Sequence, residues 1–208
     1  LDRNLGPAGA RNAGLARVAT PLVAFVDSDV RATTETLLLL SRPFADPKVV
    51  LVGPRVVGIP DPRRPRWFDS YEQHASSLTL GTTPASVAPG AAVAWLPSAC
   101  LLARTDALGA GFTASMRVGE DVDLVWRLVA AGHRVRYDPT VTAEHLTRSS
   151  LRDWLGRKAF YGTGSAQLGI VHGDAVAPAI LSPWYAAAGA AVLLRRPALL
   201  PVAAVALA

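Results

Sequence analysis

Leu22-Val-Ala-Phe-Val26, followed at once by Asp27-Ser28-Asp29, is the stretch on which the fold turns. Five apolar residues without a polar break read as a strand buried on both faces, as in a parallel sheet. The run stops at two carboxylates two residues apart, and a period of two points both side chains the same way. Ligands of open α/β sheets bind beyond the carboxyl ends of the strands, where this pair stands. Asp27 and Asp29 are therefore candidate ligands for a hard divalent cation, Mg2+ or Mn2+, that shares its shell with substrate phosphates. Taken alone, an Asp-x-Asp favours the plainer reading, a solvated turn capped by its own side chains.

Strands and helices alternate outward from this point. Residues 7–18 open with Pro7, where a helix tolerates proline best, and predict a short helix. Thr33 starts a second helix through Leu37 to Leu40 that stops near Pro43. Val49 to Val57 and Val93 to Ala103 read as further strands, with Pro- and Gly-rich loops at 60–68 and 81–90 around a short helix. Val122, Val125, Trp126 and Val129 share one face of a helix opened by Glu120 and Asp121 and capped by Gly132, and Arg134 to Tyr137 is the next strand. The pattern predicts an α/β fold with a mainly parallel sheet.

The acids at that helix start have a plain explanation, since the helix dipole favours them there. Neighbouring helical residues point about 100° apart, so only one of Glu120 and Asp121 can aim at a reacting hydroxyl. Asp123 reads as a surface residue. His145, after the last strand, is a structural histidine unless it meets Asp29, where a neutral imidazole would complete a mixed nitrogen and oxygen metal site. Arg148, Arg152, Trp154, Arg157 and Lys158 form a basic stretch, with Arg148 and Arg152 at helical spacing. It reads as a clamp for a diphosphate or as a basic rim facing anionic lipid.

Half of the 208 residues are hydrophobic and 18% are charged, more apolar than an ordinary soluble domain. The excess lies at the end: residues 175–194 are nearly all apolar, and the chain is apolar again after Arg195-Arg196-Pro197. Two closely spaced helices, an interfacial segment and a buried helix all fit that length. A single cysteine, Cys100, excludes a disulfide framework and points to a reducing, cytoplasmic setting. The net charge of +5 comes mainly from scattered arginines, which argues against nucleic acid as a partner. The chain opens at Leu1 in a loop-like stretch with no signal-peptide pattern and reads as a fragment.

Taken in order, Asn4 to Gly14, Asp27-Ser28-Asp29, Gly111-Phe112, Gly119-Glu-Asp-Val-Asp-Leu124, Trp126-Arg-Leu128 and His145 resemble the family 2 glycosyltransferases with the GT-A fold. Leu96-Pro-Ser-Ala99, Arg136-Tyr-Asp-Pro139 and Leu151 to Gly162 are similar to the mycofactocin-system branch of that family. The resemblance implies a GT-A (Rossmann-like) fold, its first strand and helix lying before Leu1. It also implies inverting transfer of a hexose, glucose from UDP-glucose, onto an acceptor hydroxyl, with premycofactocin as acceptor. By the same resemblance Asp29, Asp27 and His145 hold the metal and Asp121 is the base. Arg11, Asn12, Asp27, Arg148 and Arg152 meet the nucleotide or diphosphate, and Glu120 and Trp154 meet the acceptor. Three positions depart from the family pattern: Thr113 replaces an acid, Thr147 a second histidine, and Leu151-Arg-Asp-Trp154 the processive motif.

The expected organisation is a GT-A domain over 1–147, a basic connector over 148–174 and an apolar membrane-associated segment over 175–208, placed at the cytoplasmic face of the cell membrane. The alternative is a catalytically silent, membrane-attached binding or scaffold module of the same fold.

Overall fold

The computed structural model describes residues 4–60, 69, 76, 78–146, 150–176, 189 and 194. The chain divides into two compact units, Leu1–Ala175 and Val176–Ala208. The expected apolar tail, Arg148 and the short helix expected between the two loops lie outside the described residues. Among those described, no helix is long and apolar enough to cross a membrane.

Strands β1 (Leu22–Val26), β5 (Cys100–Arg104), β3 (Val49–Ile59), β6 (Arg134–Leu146) and β2 (Val30–Arg31) lie side by side in that order, and β4 (Ala85–Ser86) pairs with β6. The architecture is α/β, as expected, but the sheet is mixed. Only β3 and β6 pair in parallel, while β1–β5, β3–β5, β2–β6 and β4–β6 are antiparallel. The reason is the return path after β3. β5 runs antiparallel to β3, so the chain re-enters the sheet from the end toward which β3 runs.

The run of β1 also corrects its prediction. Val23 and Phe25 are buried whereas Ala24 and Val26 are exposed, an alternation that marks one covered face. Phe25 meets Phe112 edge to face, with ring centroids 5.1 Å apart. The strand expected from Val93 begins only at Cys100. Before it, the Ala94 carbonyl accepts from Trp126 Nε1 and the Ser98 N–H donates to Asp121, so these backbone groups serve side chains of a helix rather than a ladder.

On one face, α2 (Thr34–Ser41) starts at Thr33, whose hydroxyl accepts from the Thr36 N–H while Thr36 returns the bond, a reciprocal cap. Of its four leucines Leu40 is fully buried, among Val52, Val56, Val141 and Ala143, and Leu38 is exposed. α3 (Glu120–Ala130) buries Leu124, Val125 and Leu128 completely or nearly so. Its buried surface is wider than the predicted stripe, since Val122 and Val129 are only partly covered while Asp123 is buried. The cause is a further layer: α5 (Gly164–His172), reached through α4 (Leu151–Gly162), brings His172 against Trp126 and Leu168 against Gly119.

Candidate active site

The turn that ends β1 is fixed from two sides. The Asp27 N–H donates to the Ala99 carbonyl, and the Asp29 carbonyl accepts from the Leu146 N–H, both at 2.9 Å. The second bond holds the end of β6 beside the turn, where Val30 pairs with His145. His145 therefore lies inside β6 rather than after it, because β2 and β3 extend that strand to Leu146. Its Nε2 stands 3.5 Å from Asp29 Oδ2.

Asp27 faces another partner. Arg11, on α1 (Gly6–Leu15), donates from Nη2 to Asp27 Oδ1 at 2.6 Å and from Nη1 to Glu120 Oε1 at 3.0 Å. Its guanidinium also lies 5.4 Å from the centre of the Phe112 ring. One cation thus joins the end of β1 to the start of α3. Glu120 is buried by this contact.

Among the described residues no three His, Cys, Asp or Glu side chains stand close enough together to hold a metal ion. Two do face each other. The Asp29 carboxylate and the His145 imidazole are both solvent-accessible, and an oxygen and a nitrogen donor at that separation fit a divalent cation whose remaining positions go to water or phosphate.

Asp121 lies in the first turn of α3. α3 begins after Gly119, whose φ of +83° is a left-handed conformation, and a Cβ there would come within 2.9 Å of Leu168. The Asp121 carboxylate accepts from the Ser98 N–H at 3.2 Å and the Val122 N–H at 2.9 Å. Burial raises its pKa, the charge of Glu120 adds to the rise, and the two N–H bonds and Arg11 oppose it. The net result is about 6. A carboxylate with that value is ionised at neutral pH yet basic enough to take a proton. Ser98 and Ala99 are consecutive, so one strand of backbone contacts Asp121 on one side and anchors Asp27 on the other.

Asp123 is not on the surface. It is 1% exposed and accepts from Thr113 Oγ1 at 2.7 Å and Arg127 Nε at 2.9 Å, with His172 Nε2 at 2.9 Å. Burial alone would raise its pKa, but these bonds and the charge of Arg127 outweigh burial and lower it. Thr113, the departure from the family pattern, is the hydroxyl partner of this acid. A carboxylate at 113 would instead face Asp123 with like charge.

The remaining predicted site residues are placed as follows. Asn12 donates to the Phe112 carbonyl at 2.7 Å and accepts from the Phe112 N–H at 2.9 Å, and the left-handed Gly111 leaves room for it. Arg152 is exposed on α4, and Lys158 lies 5.5 Å over the Trp154 ring on the same helix. Cys100 is buried, and burial with the charge of Asp27 pushes its thiol up to about 11, which removes it as a nucleophile.

A mixed sheet with a pair of acids beyond one strand and an acid at the start of a facing helix defines the GT-A glycosyltransferase class. Residues 1–94 match the Glycosyl transferase family 2 profile. It is similar to the pre-mycofactocin glycosyltransferase of Mycobacterium tuberculosis, found in two strains, at 46% identity over 179 residues, 85% of this chain. The chain spans 38% of that relative's length. Among solved structures it shares its fold with the mannosyltransferase PcManGT from Pyrobaculum calidifontis in complex with GDP-Man and Mn2+. There the TM-score is 0.55 and the identity 22%, over 99% of this chain and 54% of that one. GalNAc-T7 with UDP, GalNAc and Mn2+ has a TM-score of 0.52 and 12% identity, over 71% and 32%.

Proposed function

We propose that this cleft transfers a hexose from a nucleotide diphosphate sugar, UDP-glucose, to a hydroxyl of premycofactocin, with inversion at the anomeric carbon. The observation that carries the reading is the joining of two unlike sides, the β1 turn and the start of α3, by Arg11 and by the Ser98–Ala99 backbone. One presents the Asp29–His145 couple, and the other presents Asp121 with a pKa of about 6. The relative's name supports the acceptor, and the nucleotide sugars in the two solved neighbours support the donor class.

Asp29 and His145 would hold Mn2+ or Mg2+, the imidazole favouring Mn2+. The ion would supply positive charge for the departing diphosphate. Asp121 takes the proton of the attacking hydroxyl while the oxygen forms its bond to the anomeric carbon. The carbon–oxygen bond to the diphosphate breaks on the opposite side, so a single displacement inverts the centre. Ser98 and Val122 fix the Asp121 carboxylate through their N–H groups, leaving it one orientation toward the acceptor.

The apolar segment and the cations of α4 favour work at the cytoplasmic face of a membrane, where neighbouring basic residues meet anionic lipid. The test of the function is a donor screen with the full-length protein and premycofactocin, comparing UDP-glucose, GDP-mannose and UDP-GalNAc, each with Mn2+ and with chelator. Metal-dependent transfer of glucose with an inverted linkage is expected. Transfer from none of the donors, or with the linkage retained, would overturn it.

A further inference from the structure

We propose that Arg11 is a positioning residue that couples the two walls of the cleft, clamping the turn of Asp27 and the first turn of α3 with one guanidinium. The inference deepens the transferase reading and rests on it for the role of Asp121.

Arg11 is 12% exposed at its side chain, and its two terminal nitrogens reach carboxylates that lie 93 residues apart in the chain, Asp27 and Glu120. A planar fork with both ends engaged cannot turn toward one partner without leaving the other, so it fixes the spacing between them. The residue beside it strengthens the clamp. Asn12 pairs with both backbone groups of Phe112, and the Phe112 ring lies under the Arg11 guanidinium, so α1, β1, the loop at 109–112 and α3 meet at one point. Neither Arg11 nor Glu120 touches the Asp121 carboxylate, whose hydrogen-bond partners are Ser98 and Val122.

The clamp has an electrostatic consequence. The charged groups that act on Asp121 are Glu120, which raises its pKa, and Arg11, which lowers it. Arg11, shared between Glu120 and Asp27, offsets part of the negative charge next to the base. Loss of Arg11 leaves Glu120 buried and unpaired beside Asp121, so the base holds its proton to higher pH. Loss of Glu120 as well removes the repulsion, and the effect reverses.

The experiment compares full-length protein with Arg11→Gln, Glu120→Gln and the double variant. It reads the pH dependence of kcat/KM, together with the pH dependence of unfolding measured with and without Asp121→Asn in each background. Arg11→Gln is expected to lower kcat/KM at neutral pH by at least about tenfold through lost alignment of the walls. It should also move the acid limb to higher pH, while the double variant brings the limb back toward the parent. The pH at which Asp121→Asn begins to alter stability should move in the same order, and this readout needs no turnover. An Arg11→Gln protein with unchanged acid limb and unchanged unfolding profile would overturn the proposal, whatever its loss of activity. Absence of transfer in the parent would instead count against the function and leave the unfolding readout to decide the clamp.

Discussion

The two walls of the cleft are built from the same residue type in opposite settings. On the β1 side, Asp29 keeps 43% of its side chain in water and, among the described residues, faces His145 at 3.5 Å. On the α3 side, Asp123 is closed off and bound by Thr113, Arg127 and His172, and Asp121 is held by two backbone N–H groups. An open carboxylate can change partners without disturbing the fold, which suits a site that takes up a charged ligand. A carboxylate fixed by backbone keeps one direction and a shifted pKa, which suits proton transfer. Stability should therefore respond strongly to substitution on the α3 side and hardly at all at Asp29.

The largest separation is expected at Asp121. Asp121→Asn should lower kcat for transfer by about a thousandfold, as loss of a general base does. It should also stabilise the protein at pH 7. The pKa of Asp121 in the folded protein lies above its ordinary 3.8, so its contribution is greatest when it is protonated and is lost as pH rises from about 4 to 6. Removing the charge then recovers up to about 3 kcal/mol at neutral pH and nothing below about pH 4, as read by urea unfolding at both values.

Asp123→Ala should act the other way, lowering stability at pH 7 by about 2 to 3 kcal/mol because Thr113 and His172 lose their acceptor and the partly exposed Arg127 loses its partner. The pKa of Asp123 is lowered in the folded protein, so its stabilisation is present above its ordinary value and is lost as pH falls through the depressed one. The deficit of the variant should accordingly shrink in acid. Gly119→Ala should destabilise by about 1 to 2 kcal/mol, through the left-handed backbone and the approach to Leu168, and thermal unfolding will measure it. The smallest stability effect is expected at Asp29→Asn, within about 0.5 kcal/mol, while metal-dependent transfer falls by about a hundredfold. A large loss of stability there would erase the contrast between the walls.

Much of this cleft was legible because its residues announce themselves locally. The acids after Val26 stand out against an apolar strand, and the acids at 120 and 121 stand at the start of a helix with a clear period. What was not legible depends on contacts far apart in the chain. Arg11 reads as one basic residue on a short helix, and nothing near it says that Glu120 completes its pairing. Asp123 looked like surface because the dipole explains any acid in a first helical turn, and only the packing of α5 turns it inward. The reversed direction of β5 escaped because an apolar run carries no sign of the end from which the chain re-enters the sheet. Thr113 looked like a lost acid, whereas it completes the hydrogen bonding of Asp123.

The most direct test is the pH dependence of kcat/KM for sugar transfer by the full-length protein at saturating Mn2+. An acid limb with a midpoint near 6, set by Asp121, is expected. A profile that stays flat from about pH 5 to 8 would contradict it.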